Sequence, residues 1–272
     1  IRSLRTLDDS LREQQSLTEL SGALEGLHRH LTSMPRQLLV VAEDHHMAEV
    51  VTSAGRIWAQ DSPPAGAWAF SLPACREQRR ELWLCNTQVN FCARAYPTVP
   101  IQHPDAAALT VLGGFLRNGF LHRAIREQGG AYGGGASQDP GIAAFRFYSY
   151  RDPRLEETLA DFDQAIAWMV ENKHDYRALE EAILGVIGGM DKPSSPAGEA
   201  KQHFHNRLFG RSHEQREHFR QQVLAVRLED LRRVTQSYLQ PENASTAVIT
   251  SAAQLDATAG LRESLGLQLQ EL

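Results

Sequence analysis

Apolar residues recur at three- and four-residue steps from the start of the chain: Leu4, Leu7 and Leu11, then Leu17, Leu20, Leu24, Leu27 and Leu31. That spacing sets one apolar stripe along a helix, and it predicts two amphipathic helices. Little else nearby could pack on them. Residues 1–35 are therefore expected to be a linker or the tail of a preceding domain. Gln37-Leu38-Leu39-Val40-Val41 follows Pro35 and predicts a first strand. Met47 to Gln60 predicts a helix. Asp61 to Leu72, with Pro63, Pro64, Gly66 and then Pro73, predicts a loop or flap.

Strands are expected at Glu81–Leu84 and Gln88–Tyr96. In the second, Val89, Phe91 and Ala93 alternate with polar or small neighbours, and Pro97 and Pro100 end it. Pro104-Asp105 opens a long helix with Asp105 as its cap. Leu109, Leu112, Leu116 and Phe120 mark its apolar face. Gly113, Gly114 and Gly119 lie inside it, each at roughly 1 kcal/mol of helix propensity relative to Ala. Such glycines are explained where another backbone packs very close. The helix is expected to reach Gln128 and break at Gly129-Gly130. A strand follows the glycines, and Ile142–Tyr150 predicts another, rich in aromatic residues that fit core and sheet surface.

Asp152-Pro153 is expected to start the next helix as cap and first residue. Leu155, Leu159, Phe162, Ile166 and Met169 give its buried face; Leu179, Ile183, Val186 and Met190 give that of the helix after it. Residues 191–196 read as a loop. A helix then runs to Phe209 and stops at Gly210, and Ser212 caps another. Leu228 begins the last main helix, Pro241-Glu242-Asn243 turns, Ser245–Thr250 is a strand, and the tail from Ala252 is helical. Few strands and long helices predict an α+β fold. A mainly antiparallel sheet is covered on one face by long helices, in a domain spanning residues 36–272.

The chain has 272 residues with 42% hydrophobic content, enough for a real core. A net charge of -5 argues against a general nucleic-acid binder. Lys occurs only at Lys173, Lys192 and Lys201, to which no function is attached. Cys75, Cys85 and Cys92 make no disulfide framework and fit a reducing compartment. No apolar run nears about 18 residues, and no signal peptide is visible, so a membrane role is not expected. The chain begins with Ile1 inside a helix-like pattern, and the expectation is a piece of a longer polypeptide.

The candidate chemistry lies in Ile125-Arg126-Glu127-Gln128-Gly129-Gly130-Ala131-Tyr132-Gly133-Gly134-Gly135. A glycine-permitted turn can aim an Arg and a Tyr at one space, a way to grip a polar backbone. Phosphate binding does not fit. A dinucleotide site needs strand, glycines, then helix, whereas here the helix comes first; a P-loop needs a Lys, and Ala136-Ser137 follows instead. On composition alone the stretch is equally a tight connection with a packed Tyr and a solvated Arg.

Three groups of histidines resemble metal sites and fall short. In Asp44-His45-His46-Met47-Ala48-Glu49 only one His and Glu49 share a face, and zinc needs three or four ligands. His213 and His218 are five apart, about 140° around a helix. His203 and His205 have no completing carboxylate.

Residues 125–133 resemble the Arg/Tyr signature of the pitrilysin/insulinase superfamily of zinc metallopeptidases, in its presequence-protease-like branch. Val89-Asn90-Phe91, Asp105-Ala106-Ala107-Ala108-Leu109 and Leu228-Glu229-Asp230-Leu231 are further landmarks, and the resemblance spans about residues 36–250. It implies the C-terminal domain of a two-halved clamshell, a half-domain of the LuxS/metallohydrolase-like kind. The zinc would lie in an N-terminal half carrying H-x-x-E-H, on the same or another chain. That motif is absent from these 272 residues, so this chain is expected to bind no zinc and to be inactive alone.

By resemblance, Tyr132 donates its hydroxyl to the oxyanion that develops when water attacks a peptide carbonyl. Arg126 hydrogen-bonds a substrate carbonyl. Gly129, Gly130, Ala131 and Gly133 let an extended, unstructured peptide approach. The compartment implied is the cytoplasm, or an organelle matrix. Two alternatives stay open: a non-catalytic structural or partner subunit of the same fold, and a peptide-binding module that docks on a separate zinc-bearing chain.

Overall fold

The computed structural model describes residues 2–34, 37–58, 77–257 and 259–271. In chain order the elements are α1 (Arg2–Ser10), α2 (Gln14–Ser33), α3 (Asp44–Trp58), β1 (Arg80–Leu84), β2 (Asn90–Pro97) and α4 (Ala106–Leu116). A π-helix, Arg117–Gln128, continues α4, followed by β3 (Gly133–Asp139) and β4 (Ala144–Asp152). Then come α5 (Glu156–Glu171), α6 (Tyr176–Met190), α7 (Pro196–Leu208), α8 (His213–Leu224) and α9 (Leu228–Tyr238). A 3-10 turn at Pro241–Asn243 leads to β5 (Ser245–Thr250), α10 (Ala252–Ala257), α11 (Ala259–Ser264) and β6 (Gln268–Glu271).

The chain divides into two compact units, residues 1–74 with 193–210 and residues 75–192 with 211–272. The first holds α1, α2, α3 and α7. Neither α2 nor α7 buries a residue. The stripe of Leu17, Leu24, Leu27 and Leu31 is exposed. Gln37–Val41 forms no strand. An apolar run makes a strand only where a neighbour supplies ladder hydrogen bonds, and none of the described strands pairs there. Helix α3 starts at Asp44, three residues before the expected Met47. The flap expected at 61–72 lies outside the described residues.

The second unit is a six-stranded sheet in the order β3-β4-β2-β5-β1-β6. The pairs β3/β4, β4/β2 and β2/β5 are antiparallel, and β1 runs parallel to β5 and β6. Alternate residues separate the faces, as the two-residue period of a strand requires. Cys92, Arg94 and Tyr96 of β2, Phe145 and Phe147 of β4 and Val248 of β5 are buried. Tyr148, Tyr150 and Ile249 stand on the open face. The expected α+β class, with a mainly antiparallel sheet and helices on one face, is what the fold shows.

Helix α4 sits closest to the sheet, with nine of its eleven residues buried. Only Gly113 among the three glycines answers to backbone packing: a Cβ there would stand 2.9 Å from Ser137 Cα. At Gly119 the neighbour is the Trp168 side chain, and around Gly114 there is open space.

Two predicted caps differ. Asp105 precedes α4 but does not cap it. Its carboxylate accepts hydrogen bonds from Arg233 (2.6 Å) and Tyr238 (2.7 Å), tying α4 to α9. Asp152 ends β4, and α5 begins four residues later. Its carboxylate accepts from the Arg154 amide and the Thr158 hydroxyl, so the charge is used to hold a corner. The tail carries β6 where only helix was expected. Its four residues acquire a ladder from β1, a partner far away in sequence.

Candidate active site

The π-helix has two buried residues, Leu121 and Ile125, and carries Arg126 on its exposed side. It closes through the Gly130 amide onto the Arg126 carbonyl (3.1 Å) and the Ala131 amide onto the Ile125 carbonyl (3.1 Å). Each span is one residue longer than in the Schellman closure of an α-helix, as a wider π turn demands. Gly130 takes φ +79°, the left-handed conformation that glycine adopts without strain.

Gly129 has a different reason. Its absent side chain leaves room for the Arg154 guanidinium, whose Nη2 would lie 1.9 Å from a Cβ there. Arg154 donates to the Ala124 carbonyl (3.1 Å) and to Asp161 (2.9 Å). Gly129 and Ala131, expected to face a ligand, are both buried, while Gly130 is exposed and Gly133 has open space around its Cα. Gly134 and Gly135 admit Ile125 and Arg117 from the π-helix. The glycine run thus lets β3 lie close on the helix that precedes it.

Tyr132 stands at the end of this turn, 70% exposed. Its amide donates to the Arg151 carbonyl at 3.3 Å, just before β3 begins opposite Tyr150. Its ring meets Tyr150 edge-on at 5.9 Å, and Tyr150 meets Phe91 edge-on at 5.4 Å. The Arg151 guanidinium lies 6.0 Å from the Tyr132 ring centre and 5.6 Å from that of Tyr150. Neither the Tyr132 hydroxyl nor the Arg126 guanidinium bonds to any described residue. Both hold unused donors, one on the π-helix before the turn and one at the entry to β3, which pairs on one side only. A phenol and a guanidinium so placed can donate to carbonyl oxygens of a bound chain.

The support beneath is polar, and Asn90 is its hub. Asn90 is 1% exposed and donates to the carbonyls of Asp152 and Arg154 (3.2 Å each), while its own oxygen accepts from Thr250 (2.7 Å). One amide therefore ties β2, the end of β4 and β5 together. Burial pushes the nearby Cys92 thiol up to about 12, so it stays protonated and is no nucleophile.

No group of three His, Cys, Asp or Glu among the described residues is placed to hold a metal ion. His45 reaches Glu43 at 3.4 Å and His46 reaches Glu49 at 4.0 Å, all four side chains well exposed. The described residues do not fit a zinc site. No described helix is long and apolar enough to cross a membrane.

Arg151, Tyr150 and Phe91 were missed as site residues by sequence reasoning. Their gathering depends on strand register, which a single sequence does not display.

Solved structures share this fold. A protease from Helicobacter pylori aligns with TM-score 0.60 at 14% identity, over 78% of this chain and 53% of its own. The peptidase M16 inactive domain from Pseudomonas fluorescens gives 0.57 at 17%, over 75% and 51%. Pitrilysin gives 0.53 at 15%, over 77% and 23%. The chain belongs to the PreP C-terminal domain family, whose profile matches residues 80–252. The mitochondrial presequence protease of Yarrowia lipolytica is 35% identical over 241 residues, 87% of this chain and 24% of that protein. The mouse protein of the same name is 40% identical over 152 residues, 56% and 14%. The chain thus spans a quarter or less of the length of these relatives.

Proposed function

We propose that this chain is the C-terminal, substrate-binding domain of a zinc metalloendopeptidase that degrades unstructured peptides. It supplies Arg126 and Tyr132 to an active site whose zinc lies in an N-terminal half, on the same or another chain. The observation that carries this reading is the pair itself. A phenol and a guanidinium with unused donors flank the Gly129-Gly130 turn at the start of an edge strand. Membership of the PreP C-terminal family supports it.

Tyr132 donates its hydroxyl to the oxygen that gains charge as a peptide carbonyl is attacked, and Arg126 donates to a neighbouring carbonyl of the same peptide. The free edge of β3 offers backbone groups to an extended segment, with little regard for side-chain identity. Gly130 and Gly133 leave space for that approach; Gly129 and Ala131 shape the turn from beneath. Zinc, held by the other half, supplies Lewis acidity to the reaction. The exposed stripe of α2 supports assigning residues 1–35 to a linker or preceding domain that covers it. No nucleic acid or membrane partner is expected, and the compartment is the cytoplasm or, after the mitochondrial relatives, an organelle matrix.

The test uses the isolated chain: zinc content by atomic spectroscopy, with hydrolysis of a quenched fluorescent unstructured peptide. Neither is expected. Stoichiometric zinc with chelator-sensitive cleavage would overturn the reading. The second reading, a non-catalytic subunit, is favoured by the Pseudomonas neighbour being described as an inactive domain. It requires that no H-x-x-E-H half accompanies this domain in its gene or operon, which sequencing upstream decides.

A further inference from the structure

Strand β4 is irregular at one place. Asn90 pairs with Asp152 and Cys92 pairs with Ser149, so Phe91 of β2 faces two residues of β4, Tyr150 and Arg151. This is a β-bulge, a device that re-aims a side chain and is over-represented beside active sites. Arg151 takes φ +50° within it. Among the described residues the other non-glycine with positive φ, Ala143, sits in the turn between β3 and β4, where such angles are ordinary. For an Arg inside a strand the conformation is unfavourable and calls for a reason.

The reason is visible in what the bulge points at. It turns the Arg151 carbonyl onto the Tyr132 amide, at 3.3 Å. It sets the guanidinium beside the rings of both Tyr132 and Tyr150. Tyr150 in turn leans on Tyr132 from one side and on Phe91 from the other. An exposed phenol is thereby fixed by one backbone bond, one ring and one cation, and Arg151 makes no ion pair with any described residue.

We propose that Arg151 is a positioning residue, held in a strained bulge so that its carbonyl and guanidinium fix the Tyr132 phenol for reaction. This rests on the reading of Tyr132 given above. Arg151 touches neither substrate nor the reacting atoms; it acts through Tyr132. A loosened phenol loses alignment, and a misplacement of about 1 Å can cost on the order of a hundredfold in rate.

The experiment compares Arg151→Asn, Arg151→Lys, Tyr132→Phe and the Tyr132→Phe/Arg151→Asn double variant in the full-length peptidase. The readouts are kcat and KM on a quenched fluorescent unstructured peptide, with the thermal midpoint. Asn adopts left-handed φ more readily than Arg. Arg151→Asn is therefore expected to keep or raise the midpoint while kcat falls roughly ten- to a hundredfold and KM stays within about twofold. Arg151→Lys, which keeps a cation near the ring, should recover part of kcat. The double variant should be no slower than Tyr132→Phe alone, because the effect passes through that phenol. Wild-type kcat in Arg151→Asn, with Tyr132→Phe impaired, would overturn the positioning role only. Additive losses in the double variant would do the same. Wild-type kcat in Tyr132→Phe would overturn the reading of the site on which it rests.

Discussion

Gly129 shows how a single residue can mislead about its own purpose. Its glycine-rich neighbourhood suggests a surface left bare for a ligand, yet the space is filled by Arg154, which Asp161 and the Ala124 carbonyl hold in place. Gly129→Ala is expected to eject that guanidinium and destabilise the domain by about 2–3 kcal/mol, measured by denaturant unfolding. Gly133→Ala, with open space around it, should stay within about 0.5 kcal/mol of wild type. Equal effects at the two positions would mean that Arg154 does not occupy the pocket. At this scale Arg126 and Tyr132 were legible, because a helix, a glycine break and a strand frame them in one short stretch. Arg151 and Arg154 were not. Arg151 acts on Tyr132 and Arg154 on the Ala124 carbonyl, both far away in sequence, through a bulge and a corner that leave no periodic mark.

Elements were legible where local pattern decides them and obscure where a partner does. The helices α4, α5, α6 and α9 follow from their apolar spacing, and α8 from its Ser212 cap. Gln37–Val41 has strand composition and no strand, while Gln268–Glu271 is a strand because β1 lies beside it. The two adjacent glycines of α4 separate the causes. Gly113→Ala drives a methyl into the backbone of β3, and Gly114→Ala meets nothing. The first should cost about 2 kcal/mol or more and the second should stabilise by up to about 1 kcal/mol through helix propensity, as thermal or chemical denaturation would report.

The tie between α4 and α9 adds a pH signature. The hydrogen bond from Arg233 holds the Asp105 carboxyl below its ordinary pKa; burial opposes this, and Tyr238 adds to the lowering. A carboxyl whose folded pKa is depressed contributes stability that is fully present above its unfolded pKa. That contribution is lost as pH falls through the lower, folded value. Asp105→Ala should therefore cost about 2 kcal/mol near pH 7. The difference from wild type should shrink once pH drops below roughly 4. A cost that stayed constant down to pH 2 would remove the charge from the explanation.

At the scale of the whole molecule, the open face and free edge of the sheet are what the helices leave uncovered, and Arg126 and Tyr132 stand at the turn leading onto that edge. The layer class was readable from element order and length, whereas the strand order β3-β4-β2-β5-β1-β6 was not. Placing β5 and β6 around β1 joins segments more than 160 residues apart, and no local signal encodes such pairings. The most direct measurement is kcat for Tyr132→Phe in the full-length peptidase on an unstructured fluorogenic peptide. Loss of one oxyanion donor should lower kcat roughly 10²- to 10³-fold with KM little changed. A kcat near that of the wild type would contradict the assignment of Tyr132 to the reacting carbonyl, and with it the proposed role of this domain in catalysis.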